Sequence, residues 1–219
     1  MPVVDVSFAL TGNTIPVDHG YALYGAVSRI IPVFHALSSM ETDLIGIHPI
    51  RGRLIGNREM ALLPGSRLSF RMPSERLIDI LPLAGKTLAL EANAITVGVP
   101  QANAIVPAAT LISRLVLIKG YVEPEAFLGA IRQRLDLLGI KGSCALVPRN
   151  RNRSFEGRYG TEESRSPFVR RTLRIKDRAI VGFAVTVSRL SAQESVLLQE
   201  HGLGGRRRMG CGIFVPAPK

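Results

Sequence analysis

Apolar residues recur along this chain in two rhythms, every second position in some segments and every third or fourth in others. VVDVSFAL (3–10) places Val4, Val6, Phe8 and Leu10 two apart and is rich in β-branched side chains, which predicts a strand. After the turn-rich TGNTIPVD the spacing becomes helical through HGYALYGAVSRIIPVFHAL, with Asp18 as the expected N-cap. Pro32 is expected to interrupt this helix near its end, because proline removes a backbone donor and crowds the preceding turn. LIGIHPI predicts a short strand, RGRLIGNREMALLPG an irregular strand pair, and SRLSFRM (66–72) a further strand. SERLIDILPLAG (74–85) reads as a helix capped by Ser74, and KTLALEANAITVGVP (86–100) as a strand or hairpin. The first half therefore runs β-α-β-β-α-β.

The proline and alanine stretch QANAIVPAA (101–109) reads as a linker. LISRLVLIKG (111–120) predicts a strand, and EPEAFLGAIRQRLDLLGI (123–140) an amphipathic helix with Glu123 and Glu125 suited to its first turn. CALVPR reads as a short strand, and NRNRSFEGRYGTEESRSP (150–167) as a polar insertion. FVRRTLRIK (168–176) and AIVGFAVTVSR (179–189) predict a hairpin joined by Asp177-Arg178. Ser191, with Glu194 three residues on, predicts a capping box opening the helix AQESVLLQEHGLG, and GCGIFVPAP a closing strand. The element order of the first half thus repeats. It predicts an α+β fold of two tandem ferredoxin-like domains, 1–100 and 110–219, joined by 101–109.

Composition adds a partner. Of 219 residues 46% are hydrophobic and 21% charged, which suits a folded chain, and the longest apolar runs fall short of the roughly 18 residues of a membrane span. Neither an export signal nor a membrane association is expected, and the two cysteines, Cys144 and Cys211, read as free thiols of a cytoplasmic protein. The net charge of +11 is unevenly placed: residues 141–219 hold 16 of the 28 basic side chains and 6 of the 17 acidic ones. A basic field concentrated in one third, mostly of arginine, favours a polyanion, with nucleic acid first. Arg170, Arg171, Arg174, Lys176 and Arg178 fall on the hairpin, where Arg170, Arg174 and Lys176 share parity as a possible basic stripe. With aromatic residues at 5%, shape and phosphate recognition should outweigh base stacking.

GLGGRRRMGCG (202–212) sharpens this. It spells G-h-G-x5-G-h-G, with Gly202, Gly204, Gly205, Gly210 and Gly212 around Arg206, Arg207 and Arg208. It lacks the Gly-Lys-Ser/Thr of a phosphate loop, and it closes a helix where a dinucleotide fingerprint would open one. A sugar-phosphate backbone passing close to main-chain amides fits it better.

This spaced motif resembles the glycine-rich loop of the RAMP superfamily of CRISPR-associated RNA-binding proteins. IPVDHGYALYGAVSRIIPVFH resembles the first helix of that superfamily's repeat-processing endoribonucleases, the sixth Cas family. GIHPIRG, RRTLRIKDRAIVGFAV and GLGGRRRMGCGIFVP are most similar to its MYXAN-subtype members. The resemblance implies a fold of two RAMP/RRM-like domains and metal-independent cleavage of CRISPR repeat RNA, a hairpin, in the precursor transcript to give mature guide RNAs. It implies attack by the ribose 2′-OH, products ending in a 2′,3′-cyclic phosphate and a 5′-OH, and no cofactor or metal. Other subunits of a CRISPR interference complex are further expected partners. The alternative is a non-catalytic RNA-binding RAMP subunit.

Histidine is the natural acid-base group for such chemistry near neutral pH. The chain has His19, His35, His48 and His201. His35 stands where the family commonly places its catalytic histidine, and Ser28 is two helical turns earlier, where some relatives carry tyrosine. His48 precedes Pro49 and is biased to an extended backbone. His35 and His48 are both candidate bases, His19 reads as an aid to helix capping, and Arg29, Arg51 and Arg53 are candidates to stabilise charge on the reacting phosphate. The glycine loop is expected to hold RNA, with the proton transfers in the other half of the molecule.

Overall fold

The computed structural model describes residues 2–36, 44–149 and 166–218. The chain divides into two compact units: Met1–Val106 with Leu173–Arg178 and Arg206–Cys211, and Pro107–Thr172 with Ala179–Gly205 and Gly212–Lys219. Two short pieces from late in the sequence thus belong to the first unit.

The first unit contains β1 (Val3–Thr11), β2 (Thr14–Pro16), α1 (Gly20–Ile30), α2 (Val33–Ala36), β3 (Gly46–Ile47), β4 (Gly52–Gly56) and β5 (Glu59–Leu62). It continues with β6 (Arg67–Pro73), α3 (Leu77–Ile80), β7 (Thr87–Leu90) and β8 (Asn93–Ala104). Its main sheet has the order β3-β6-β1-β8-β7, with all the neighbouring strands antiparallel, and β2-β5-β4 form a second sheet. Because β6 lies between β1 and β3, the β1-α1-β3 unit is split by a later strand, which is the ferredoxin-like arrangement. Alternation turns Val6 and Phe8 of β1 and Leu68, Phe70 and Met72 of β6 into one core with Leu23, Ala26 and Val27, the i, i+3, i+4 face of α1. Phe70 meets Phe8 edge-on at 6.0 Å and Phe34 of α2 at 6.2 Å between ring centroids.

The second unit is built on β9 (Thr110–Val116), α4 (Pro124–Leu137), β10 (Ser143–Leu146), the first half of β11 (Arg170–Ile175), β12 (Arg178–Ser188) from Ala179 on, α5 (Ala192–His201) and β13 (Val215–Pro216). Its sheet order, β10-β12-β9-β13 with β11 paired to β12, repeats the split arrangement. Phe127, Ala130, Ile131 and Leu135 form the buried face of α4, and Phe127 packs edge-on to Phe183 of β12 at 4.9 Å. Ser191 and Glu194 form the capping box: the Ser191 hydroxyl accepts from the Glu194 N–H at 3.2 Å and the Glu194 carboxylate from the Ser191 N–H at 2.8 Å. The chain is therefore α+β with two ferredoxin-like halves, and among the described residues no helix is long and apolar enough to cross a membrane.

Local differences from expectation have local causes. Pro32 does end the first helix, leaving α2 as one separate turn. Residues 74–83 form one α-turn flanked by 3-10 turns instead of a regular helix, because Pro82 removes a donor. Residues 101–104, read as linker, continue β8, and the hairpin turn is Lys176-Asp177, not Asp177-Arg178. The closing strand is only two residues long. Of the polar insertion, 150–165 lie outside the described residues.

Candidate active site

Neighbouring strands of the first unit bring three polar side chains together. Asp5 of β1 and Arg71 of β6 are directly opposed, on the sheet face turned away from Phe8 and Phe70. Arg71 Nε donates to Asp5 Oδ1 at 2.8 Å and Nη2 to Oδ2 at 2.7 Å, a bidentate pair, with Arg71 only 1% exposed. His48 directly follows β3, held by its backbone N–H on Ser69 O at 2.8 Å, and its Nε2 stands 3.3 Å from Asp5 Oδ1. A carboxylate oxygen only accepts, so Nε2 carries the hydrogen and Nδ1 keeps its lone pair. Among the described residues Nδ1 has no hydrogen-bond partner, and the ring is 14% exposed.

The charges tune one another. Burial alone would push Asp5 up, but hydrogen bonds from His48 and Arg71 and their charges outweigh it and hold the carboxyl well below the usual range. For His48 burial is the largest influence and lowers its pKa below 6.5; the hydrogen bond and charge of Asp5 oppose this, while the charges of Arg71 and Arg207 add to it. His48 is accordingly a neutral imidazole at pH 7, its tautomer set by Asp5.

Arg207 reaches this site because Arg206–Cys211 belongs to the first unit, where it packs against α1 and β3. At Gly20, where α1 begins, a Cβ would overlap the Met209 carbonyl oxygen, so glycine permits helix and loop to meet. Arg208 Nη1 donates to the Phe34 carbonyl in α2, and its guanidinium lies over the Tyr24 ring at 5.2 Å. Gly210 faces Pro49, the residue after His48. The loop thus touches both the turn of helix that carries His35 and the strand end that carries His48. The expected separation of loop and histidines does not hold, because remoteness in sequence is not remoteness in the fold. His35 itself occupies α2, with its side chain outside the described residues.

Several candidates take other places. His19 is buried at the N-cap position of α1 but makes no side-chain capping bond: Nδ1 lies 2.9 Å from Pro16 O, and Nε2 accepts the Ile50 N–H at 2.9 Å, tying β2 to the chain just past His48. Asp18 precedes the N-cap position, and its carboxylate accepts the Arg174 N–H at 2.7 Å. Ser28 is 2% exposed, and its Oγ has no hydrogen-bond partner among the described residues, which withdraws it from solvent. Arg29, Arg51 and Arg53 are exposed. Asp5 and Arg71 were not singled out from sequence, although a carboxylate inside an otherwise apolar strand was the available signal.

The basic and glycine residues separate similarly. Arg207 is buried at 5% exposure, Arg208 is half-buried, and Arg206 is exposed. On the hairpin Arg171, Arg174, Lys176 and Arg178 are exposed, whereas Arg170 turns onto the Phe183 ring at 5.6 Å. The proposed stripe of Arg170, Arg174 and Lys176 is broken, because Lys176 has left the strand for the turn. In the second unit Gly204 (φ +77°) and Gly212 (φ +68°) sit where a Cβ would overlap the carbonyls of Leu117 and Leu203, so internal packing already requires them. Gly202 is buried at the end of α5, while Gly205 is exposed with open space at its Cβ position. Gly204→Ala is therefore expected to cost more than about 1 kcal/mol in urea unfolding, and Gly205→Ala less than about 0.5 kcal/mol. A lowered RNA affinity for Gly205→Ala at unchanged stability would mark that backbone as an RNA contact.

Comparisons with known proteins bear on the family and the fold. A family model described as Cas6 Crispr matches residues 4–219. The CRISPR-associated endonuclease Cas6 of Myxococcus xanthus (strain DK1622) is 33% identical over 216 residues, spanning 99% of this chain and 82% of that protein. Among solved structures, a CRISPR associated protein Cas6 aligns with a TM-score of 0.65 at 13% identity, covering 99% of this chain and all of that one. The product of a Cas6-related gene from Pyrococcus furiosus aligns with a TM-score of 0.65 at 15% identity, over 97% and 98% of the two chains. A RAMP protein binding different RNA substrates aligns with the same score, 0.65, at 13% identity over 98% and 100%. These structural likenesses bear on the fold.

Proposed function

The chain belongs to the Cas6 family, and on that premise we propose that it is a metal-independent endoribonuclease that cuts CRISPR repeat RNA in the precursor transcript. His48, neutral at pH 7, takes the proton of the ribose 2′-OH on Nδ1. The 2′-oxygen then forms a bond to the adjacent phosphorus as the bond from phosphorus to the 5′-oxygen breaks. His35, protonated, supplies the proton that makes this leaving oxygen a 5′-OH, and the other product ends in a 2′,3′-cyclic phosphate. Arg206 and the exposed hairpin cations Arg171 and Arg178 hold phosphates of the RNA, and buried Arg207 supplies fixed positive charge near the reacting group.

One observation supports this reading: the segment Arg206–Cys211 contacts both α2, the helical turn that carries His35 in its backbone, and the strand end that carries His48, so a phosphate drawn to the loop would lie near both elements. The family's endonuclease in Myxococcus xanthus supports the reaction class.

The test uses the repeat RNA encoded beside the gene. Cleavage is expected to persist in excess chelator and to stop when the sugar at the cut carries 2′-deoxy. Cutting of the deoxy substrate would refute attack by the 2′-OH. Tight binding of the repeat with no cleavage at all would instead assign the chain as a non-catalytic RNA-binding subunit.

A further inference from the structure

At the start of α1 the first unit holds a second feature, a cavity of about 610 Å³. Three hairpin turns converge on it: Asn57-Arg58 between β4 and β5, Glu91-Ala92 between β7 and β8, and Lys176 beyond β11. The turn at Arg58 is fixed to β2 by the Val17 N–H on Arg58 O at 2.8 Å, and Arg174 to the chain before α1 by its N–H on Asp18. The cavity is therefore framed by one backbone–backbone hydrogen bond and one from a backbone N–H to the Asp18 carboxylate.

Its lining is chemically mixed. Asp18, whose carboxylate accepts the Arg174 N–H, is one carboxylate of the lining; of the others Arg58, Arg174 and Lys176 are cationic, Glu59 and Glu91 anionic, and Tyr21 aromatic. Among the described residues none of these six side chains makes a hydrogen bond or ion pair. Opposite charges that share a cavity without pairing leave their donors and acceptors available to a ligand. Arg58, Glu91 and Lys176 also present their side chains from left-handed backbone, at φ +59°, +57° and +53°, where glycine would fit without strain.

A bare run of phosphates would be repelled by the three carboxylates, Asp18, Glu59 and Glu91. A neutral organic ligand would make no use of three cations. A nucleotide satisfies both signs: its base amino groups donate to carboxylates, its phosphate accepts from Arg and Lys, and its ring stacks on tyrosine. The volume accommodates one such unit. We propose that this cavity binds a single unstacked nucleotide of the RNA, with an amino-bearing base (adenine, guanine or cytosine) against Tyr21 and within reach of Glu59 and Glu91. Arg174 and Lys176 take its phosphate. The site is lined by none of the residues assigned to bond cleavage, so it selects RNA and performs no chemistry. The identity of the ligand as RNA rests on the function proposed above.

Binding of a repeat RNA blocked by 2′-deoxy at the cut is measured with an abasic site walked along the strand. In the wild type one position is expected to lose about tenfold in affinity when its base is removed. Tyr21→Leu and Glu91→Gln are expected to lose that sensitivity at the same position. If no abasic penalty depends on either residue, the proposal is overturned. It is equally overturned if millimolar AMP, GMP or CMP protects the cavity without affecting RNA binding, since the site would then serve a free nucleotide. Cleavage of the unmodified repeat by the wild type, run alongside, separates failure of this site from failure of the proposed enzyme activity.

Discussion

Alanine at His48 is expected to slow single-turnover cleavage of the repeat by roughly 10²–10⁴-fold, the usual contribution of a positioned general base, with little change in RNA affinity. His35→Ala should lose a similar factor. The pH profile distinguishes their roles. Because burial holds the pKa of His48 below 6.5, the acid limb of the wild-type profile should lie below about pH 6.5, whereas loss of the proton from His35 would set the opposite, alkaline limb. Asp5→Asn keeps an acceptor oxygen but removes the negative charge that raises the His48 pKa, so this acid limb should move to still lower pH. Asp5 acts as a positioning residue, and a purely structural effect of its loss would lower the rate without moving the limb. A His48→Ala enzyme that retains its rate would transfer the base role elsewhere.

Arg71→Met should produce the largest loss of stability, roughly 3 kcal/mol in urea unfolding at pH 7. This is near the low end for removing one partner of a buried pair, because the Asp5 side chain keeps 25% of its surface exposed. The deficit should depend on pH. In the wild type Asp5 is held ionised far below the ordinary carboxylate range, so its contribution is complete above about pH 4 and is lost as pH falls further. Without Arg71 the carboxyl protonates more readily, and the gap between variant and wild type should narrow toward pH 3. His48 follows the same direction from a higher starting point: its folded pKa is lowered, so stability drops as pH falls below about 6.5, where the unfolded imidazole takes its proton first. A gap that stays constant between pH 7 and pH 3 would show that Arg71 acts through packing alone.

What could be read from the sequence was whatever neighbouring residues decide among themselves. The Ser191–Glu194 capping box, the break at Pro32 and the alternation of β1 each depend on spacings of a few residues, and each is found in the structure. The repeated element order was enough for both ferredoxin-like halves. The site was less legible because its decisive contacts are long-range. Asp18 looked like a cap yet binds the N–H of Arg174, and His19 looked like a capping aid yet accepts from Ile50. Arg207, one of three consecutive arginines, could not be told from its neighbours by pattern, although it alone of the three is buried. Two glycines of the loop were read as room for RNA, whereas carbonyls of Leu117 and Leu203 occupy that room. Periodicity reports which face a residue takes; it does not report what arrives at that face from a hundred residues away.

The seating of Arg206–Cys211 on α1 and β3 also sets an order of events during synthesis. His35 and His48 emerge from the ribosome long before the arginines that complete their surroundings. A nascent chain could already fold the sheet that carries Asp5, Arg71 and His48, yet it would lack Arg207 beside the imidazole and Arg208 on the Phe34 carbonyl. On the function proposed above, repeat cutting therefore awaits synthesis of the loop and its docking at Gly20.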